Sequence, residues 1–422
     1  MRCTITTGRV GRGPRKARAW PLSLSLALWV LAPASLASTL TLDDALRSAR
    51  ELNPELAAAR WGTDIAAGER IQAGVLPNPE LSWEVEDTRR RSQTTTVTLS
   101  QQIELGGKRG ARIALSERDQ AVAALELERR QNALHADVTA AFHDAARAQE
   151  RLELAGQSLR LTERGLQVVQ GRVRAGTASP IEATRAQVQV SQMRLEQQRA
   201  EQAVAVAHQQ LTAVIGIAQA GFDRVEPVTS GLSPVPASEP LLDRLPQTAD
   251  VRLASLQIDQ SEAALGVARS QRIPDLTLSV GSQYDRTERE RVNVLGVSVP
   301  LPLFDRNQGN VLAAARRADQ ARDLRNGTEL RVRSEVVQAL AQWRTAGHEV
   351  RSFETSILPA AQQAVDVATR GFERGKFGFL DVLDAQRTLV EARTQYLAAQ
   401  ASGTDAQARI QRIFGDLTGT PL

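Results

Sequence analysis

Between Thr95 and Leu105 apolar and polar residues alternate. Val97, Leu99, Ile103 and Leu105 share one parity, and Thr96, Thr98, Ser100, Gln102 and Glu104 share the other, with Gln101 the one exception. Side chains of a strand alternate between its faces, so the pattern predicts a strand with one apolar and one polar face. It stops at Gly106-Gly107. From about Gly110 an Ala/Leu/Glu/Arg-rich run follows, with no proline until Pro180. A helix of about 60 residues would span roughly 90 Å, unusual for a compact soluble domain.

The stretch has an echo. In Val294–Asn310, Leu295, Val297, Val299, Leu301 and Leu303 share a parity, a polar junction follows at Asp305–Gly309, and a second long helical run begins. Leu303 lies 198 residues after Leu105. Around these strands each half reads alike. Thr39–Gly74 is helical, capped by Thr41 or Asp43 and split at Asn53-Pro54. Pro77-Asn78-Pro79 breaks the chain before Leu81, Trp83 and Val85 alternate with Ser82, Glu84 and Glu86. Ala249–Leu276 matches Pro54–Leu81 at an offset of 195, and the turn Arg374–Phe379 matches Arg174–Pro180 at an offset of 199.

The predicted organisation is therefore two repeats of helix, β-hairpin, long helix, turn and long helix. The first repeat covers 38–221, with strands near 80–86 and 95–105 and long helices near 110–173 and 180–215. A proline-rich, extended linker with a short helix near its end covers 222–248. The second repeat covers 249–414, with strands near 275–284 and 292–303 and long helices near 308–373 and 380–414, interrupted at Pro359. Residues 415–422 form a tail. Two charged loops, Asp87–Gln93 and Asp285–Arg291, close the hairpins.

Strands of about ten residues suit a tilted crossing of a roughly 25 Å apolar band. Four strands cannot close a barrel, and open edges are not tolerated in lipid, so several copies must combine. Three copies give about twelve strands, enough to enclose a lumen. Trp83 and Leu99 then suit the lipid side, while Ser82, Glu84, Thr98 and Gln102 face the lumen. In the third strand the apolar parity changes to even, a change of register between hairpins. The long helices are too polar to span lipid and leave the membrane opposite the charged loops, packing as an antiparallel coiled coil.

Composition changes this picture at one end. Residues 1–20 carry six basic groups and no acids, Pro21–Ala34 is apolar, and Ser35-Leu36-Ala37 offers small residues to a signal peptidase. Residues 1–37 read as a secretory signal, the alternative being an uncleaved anchor. Subtracting those six charges from +4 leaves −2 for the mature chain, so the formal excess of basic charge is no argument for nucleic acid. Cys3, the sole cysteine, lies in the signal, which excludes a disulfide or thiolate metal site beyond it.

The ordered set QQIELGGKRGAR, VPLPLFDRNQG and RGKFGFLDVLDAQR, repeated in outline across both halves, resembles the TolC-type outer-membrane efflux proteins. Within them it is most similar to the branch serving cobalt–zinc–cadmium-type cation pumps. The resemblance covers essentially the whole mature chain. It implies a mainly α protein with a membrane β-barrel portion: a homotrimer whose twelve-stranded barrel continues as a long periplasmic helical duct in the outer membrane of a Gram-negative bacterium. It also implies docking to a periplasmic adaptor (membrane fusion protein) and an inner-membrane RND pump. Outer-membrane lipid surrounds such a barrel, and no cofactor is implied.

No enzymatic constellation emerges from the residues. His135, His143, His208 and His348 lie in helical runs without further ligands, and no G-x-S-x-G elbow occurs. Glu182, Asp381 and Asp384 follow the two helix turns. They are either dipole-favoured acids at helix starts or, multiplied by symmetry, a ring of charge constricting the pore. Arg174, Gly176, Pro180, Arg374, Gly375 and Lys376 form the turns themselves, as solvated residues or as an adaptor-docking tip. Trp83 and Tyr284 are candidates for an interfacial aromatic belt. Gly106, Gly107, Asp305 and Gly309 mark the strand-to-helix junctions. The expected activity is a passive exit duct for heavy-metal cations, with drug efflux or type I protein secretion as the alternative within transport, and a periplasmic coiled-coil interaction protein as the alternative of another class.

Overall fold

The computed structural model describes residues 39–87, 89, 92–227 and 232–415. Residues 1–38, which include the segment read from the sequence as a secretory signal, positions 88, 90 and 91 of the first loop, 228–231 of the linker and the tail beyond 415 lie outside the described residues.

In chain order the elements are β1 (Thr39–Leu40), α1 (Leu42–Leu52), α2 (Pro54–Ala73), β2 (Glu80–Glu86), β3 (Thr94–Ile103), α3 (Lys108–Arg174) and α4 (Pro180–Ile215). Then come β4 (Arg224–Val225), α5 (Ser238–Asp243), α6 (Ala249–Ser270), β5 (Leu276–Asp285), β6 (Glu290–Ser298), α7 (Gln308–Ser352), α8 (Leu358–Glu373) and α9 (Phe379–Phe414). The 67 residues of α3 span about 100 Å. No described helix is long and apolar enough to cross a membrane.

Local chemistry sets the helix ends. Thr41 rather than Asp43 caps α1, its hydroxyl accepting from Asp44 N–H at 3.2 Å. Asn53 caps α2 by accepting from Leu56 N–H at 2.9 Å, and its amide donates to the Val214 carbonyl at 2.8 Å, tying the α1–α2 break to the end of α4. Pro359 does not break the second long helix. A π-helical turn, Phe353–Ile357, precedes it and the helix runs on as α8. The wider turn absorbs the missing donor of the proline and the crowding of its ring against the preceding turn.

Packing is alanine-rich, as the composition requires. Ala45, Ala49, Phe142, Ala145, Leu211 and Ile215 pack with Val225 in one cluster of α1, α3, α4 and β4. A second cluster joins Val332, Leu340 and Trp343 of α7 to Ile410 and Ile413 of α9 and to Leu241 of α5. The linker is thus more structured than its prolines imply. It contributes β4, which pairs in parallel with β1, then α5 and a 3₁₀ turn at Leu245–Gln247, and the Ser233 carbonyl accepts from the Trp343 indole at 3.1 Å.

The four long strands form one antiparallel sheet in the order β2-β3-β5-β6, so the two hairpins meet along β3–β5. The strand bounds differ from the sequence reading: β3 runs from Thr94 and ends at Ile103, β5 is shifted by one residue to Leu276–Asp285, β6 runs from Glu290 to Ser298, and the second loop is only the four residues between Asp285 and Glu290. The hairpins also correct the repeat. Glu80 opposes Ser100 and Thr277 opposes Ser298, so with β2 and β5 offset by 195, β3 and β6 are offset by 200 rather than 198. The left-handed residues that open α3 and α7, Gly107 and Asn307, stand at the same offset of 200.

Candidate functional site: a sheet with two unlike faces, a junction and a pair of tips

Pairing places opposed residues on one face. Leu81, Leu99, Val280 and Leu295 form one row across the sheet, with Trp83, Val97, Ser282 and Asn293 next towards the loops. Tyr284 lies a further row out, opposite Thr95 and Arg291. The even parity of β5 therefore falls in line with the odd parity of β3, making one apolar face. Trp83 is 70% exposed and Tyr284 38% exposed on that face, both towards the hairpin loops. From Leu276 to Tyr284 the apolar face runs about 26 Å along the strand.

The opposite face carries Ser82, Glu84, Thr96, Thr98, Ser100, Gln102, Thr277, Ser279 and Gln283. Its ionisable strand residues are Glu80, Glu84, Glu86, Asp285 and Glu290, all acidic. Arg291, the one arginine in β2, β3, β5 and β6, lies on the apolar face at its loop end. Beyond β2, Asp87 is gripped by Arg89 through both carboxylate oxygens, at 2.8 to 3.0 Å, and bonded by Ser92; Arg89 above all holds this exposed carboxyl down to about 2.

At the other end of the strands the sheet turns into the helices. Gly106 and Gly107 are both left-handed, at φ 69° and 72°. Gly106 sits against α6: a Cβ there would lie 2.8 Å from Ile273 Cβ and 2.9 Å from the Ser270 carbonyl oxygen. Gly107 faces open space. Asp275 bridges the halves by accepting from Lys108 Nζ at 2.6 Å, Gln102 Nε2 at 2.8 Å and Leu105 N–H at 3.1 Å. Burial pushes this carboxyl up, but the three donors together hold it below its ordinary value. Arg112 pairs with Glu104 just beside it. In the second junction Asp305 accepts from Asn307 N–H at 2.8 Å, and the residue with positive φ is Asn307, at 57°. Its amide donates to the Ala268 carbonyl at 2.8 Å. Gly309 lies inside α7 with open space around it and takes no part in the reversal.

The two helix turns are built alike. Gly176 N–H donates to the Val173 carbonyl and Thr177 N–H to Arg172, while Gly375 N–H donates to Phe372 and Lys376 N–H to Gly371. This is the paired reversal in which a left-handed residue closes a helix, and both glycines have it, at φ 72° and 73°. Pro180 then opens α4, as its fixed φ and missing donor allow. The turns come together in space. Val169 of α3, Ala186 of α4, Phe372 of α8 and Phe379 and Val382 of α9 form one buried cluster. Arg172 ties them, donating to the Phe372 carbonyl at 2.5 Å with its guanidinium 4.4 Å from that ring's centroid. Phe379 lies on Gly165 and Phe377 on Gly371, so close that a Cβ at either glycine would overlap the ring. Arg174, Arg374 and Lys376 are exposed around the cluster.

Asp381 accepts from Gly378 N–H at 2.8 Å and so has a capping job at the start of α9. Glu182 is half-buried in the first turn of α4, whereas Asp384 is exposed in the second turn of α9, beyond the helix start where the sequence reading put it. Sequence reasoning missed Arg172, Phe372 and Phe379. The available signal was aromatic: three of the chain's eight phenylalanines fall between 372 and 379.

An open four-stranded amphipathic sheet, continued at one end by long helices of which α3 reaches about 100 Å and closed by loops at the other, defines an outer-membrane channel subunit with a long periplasmic part. The chain belongs to the outer membrane efflux protein family, which matches residues 45–217 and 243–416, one stretch in each repeat. It is 39% identical over 383 residues to the cobalt-zinc-cadmium resistance protein CzcC of Cupriavidus metallidurans, covering 91% of this chain and 92% of that one. It is 28% identical over 320 residues to the nickel-cobalt-cadmium resistance protein NccC of Alcaligenes xylosoxydans xylosoxydans, covering 73% and 72%. A solved structure of CusC superimposes with a TM-score of 0.74 over 89% of this chain and 92% of that one, at 17% identity. Channels of this family form trimers within tripartite efflux systems, and family and fold are those of passive channels rather than enzymes.

Proposed function

We propose that this chain forms the exit duct for divalent heavy-metal cations, with a periplasmic adaptor meeting its helix tips and an inner-membrane RND pump supplying the energy. The observation that carries the reading is the polar face of the sheet, whose five ionisable strand residues are all carboxylates. Folded round a lumen, such a wall raises the local cation concentration and disfavours anions. The resistance named in CzcC and NccC points the same way. The protein performs no chemistry; it provides a hydrated path past lipid.

The deciding experiment is deletion of the gene followed by challenge with zinc, cobalt and cadmium salts, with dyes and drugs in parallel. Sensitisation to the metals alone supports the reading. Sensitisation to dyes and drugs alone assigns the duct to drug efflux, and loss of a secreted protein without metal sensitivity assigns it to protein secretion.

At the periplasmic end, the exposed Arg174, Arg374 and Lys376 around paired turns form the adaptor-docking tip, and Glu182, Asp381 and Asp384 constrict the pore. Asp381→Asn with Asp384→Asn should raise anion relative to cation conductance in planar bilayers. Unchanged selectivity would leave Asp381 as a helix cap only.

A further inference from the structure

The apolar alternation on β6 does not stop where its pairing stops. Ser298 is the last paired residue, yet Val299, Leu301 and Leu303 continue the parity of Leu295 and Val297 and are 43%, 76% and 66% exposed. In the first repeat the equivalent strand, β3, stays paired to Ile103, which stands where Leu303 stands in the second. The difference lies in the partner. Along β3 runs β5, whereas beyond Ser298 no strand among the described residues lies beside β6, because β5 begins at Leu276. Leu303 N–H instead donates to the Leu301 carbonyl at 2.9 Å, a local substitute.

Hydrogen-bond phase shows which edge this segment can use. Arg286 N–H donates to the Gln93 carbonyl at 3.1 Å, so the even-numbered residues of β5 bond towards β3. Backbone groups of successive residues point to opposite edges of a strand. Carried through the registers, the odd-numbered residues of β6 point to its open edge, and the odd-numbered residues of β2 point to the other open edge of the sheet. Pro300 and Pro302 are even. Their missing donors lie on the inner side, where no strand remains to receive them, while Val299, Leu301 and Leu303 keep theirs for the outer edge. Prolines belong at such positions of an edge strand.

We propose that residues 299–303 extend β6 by pairing with β2 of a second copy of this chain, in the register of the β3–β5 seam. Ile103 opposite Leu276, Gln101 opposite Leu278 and Leu99 opposite Val280 become Leu303 opposite Leu81, Leu301 opposite Trp83 and Val299 opposite Val85 of the second copy. The apolar face then continues across the seam without a break. The ion pair at the inner seam is not repeated: Lys108 and Asp275 have Gln308 and Glu80 as counterparts. The outer seam is held by backbone bonds and apolar contact. This inference rests on the reading that copies of the chain close its sheet, and it adds which residues meet.

The pairs Pro302–Ser82 and Ser298–Glu86 fall at non-hydrogen-bonded positions of the proposed seam, with Cα atoms about 4.5 Å apart, inside disulfide range. Within one chain β2 and β6 are three strand spacings apart, about 14 Å, so a bond between them must join copies. In a Cys3→Ser background, Pro302→Cys with Ser82→Cys should give covalent dimers and trimers in oxidised outer membranes on a non-reducing gel. Ser298→Cys with Glu86→Cys should do the same if the proline variant fails to assemble. Pro302→Cys with Trp83→Cys, on opposite faces, should give none. Trimers by native gel that cross-link through neither designed pair, or that cross-link through Pro302→Cys with Trp83→Cys, overturn the register. Absence of any trimer in the Cys3→Ser parent overturns instead the closure on which it rests.

Discussion

Gly106 and Gly107 offer a matched test of how the barrel is held to the helices. Both adopt a left-handed backbone, at φ 69° and 72°, so replacement by alanine imposes the same conformational penalty, about 1–2 kcal/mol. They differ in surroundings. A methyl at Gly107 meets nothing within 4 Å, whereas one at Gly106 lies 2.8 Å from Ile273 Cβ and 2.9 Å from the Ser270 carbonyl oxygen. Neither neighbour is the free end of a flexible side chain: one is a β-carbon and the other is backbone at the end of α6. The strand or α6 must move, and overpacking of this kind adds roughly 1–3 kcal/mol. Gly107→Ala should therefore lose about 1–2 kcal/mol per chain and Gly106→Ala about 2–5 kcal/mol. The assay is thermal melting of the detergent-extracted trimer, with the yield of membrane-inserted protein alongside. Gly106→Ala should melt clearly below Gly107→Ala and insert less. Equal losses in the two variants, or a larger loss at Gly107, would refute the claim that close approach of α6 governs this junction.

Lys108→Met removes one of three donors to Asp275, leaving Gln102 and Leu105 N–H; the group is largely buried, and a loss of about 1–3 kcal/mol should appear as a lower trimer melting temperature. Acid should also destabilise the helical part through His143, whose imidazole burial, with Arg147 nearby, pushes down to about 4. The unfolded chain takes up that proton near 6.5 while the folded one stays neutral to about 4, so stability is full above pH 6.5 and falls as the pH drops through that window. Burial raises the carboxyls of Glu150 and Asp405 and acts in the opposite sense. The readout is therefore the difference between wild type and His143→Gln, which should melt with a flatter dependence between pH 4 and 6.5; identical slopes would remove His143 as the cause. Gly375→Val should weaken adaptor cross-linking but leave barrel insertion intact, since its strain is confined to a tip turn; unaltered cross-linking would place docking elsewhere. Cysteines introduced singly at Asp87 and Thr287 should react with an impermeant maleimide on intact cells, and silence at both would invert the topology.

The two repeats, the four strands, the long helices and the unlike faces of the sheet were legible because each rests on local periodicity. Period two sorts Leu81, Trp83 and Val85 from Ser82, Glu84 and Glu86 without any knowledge of neighbours. Glycine, proline and charge marked the turns because backbone conformation there is a local demand. Partnership between distant segments was not legible. Nothing in the strand patterns says that β3 meets β5, and the true repeat offset of 200 emerges only from the pairing of each hairpin. The end of β6 at Ser298 depends on where β5 begins, so the apolar alternation through Leu303 overstated the strand that one chain can form by itself. At the second junction, marked in the sequence by Asp305 and Gly309, the left-handed residue is Asn307, whose amide also bonds to the end of α6, a contact no local pattern announces. Arg172 and Phe372 met for a similar reason: they stand 200 residues apart, and their contact is created by the packing of two hairpin tips. The sequence by itself determined which segments are strands and helices and which side of each is apolar, since these follow from the order of residues a few positions apart. Only the tertiary structure decided which strand lies beside which, where pairing ends and which side chains bridge the repeats, because those depend on distances between residues that the chain order leaves free.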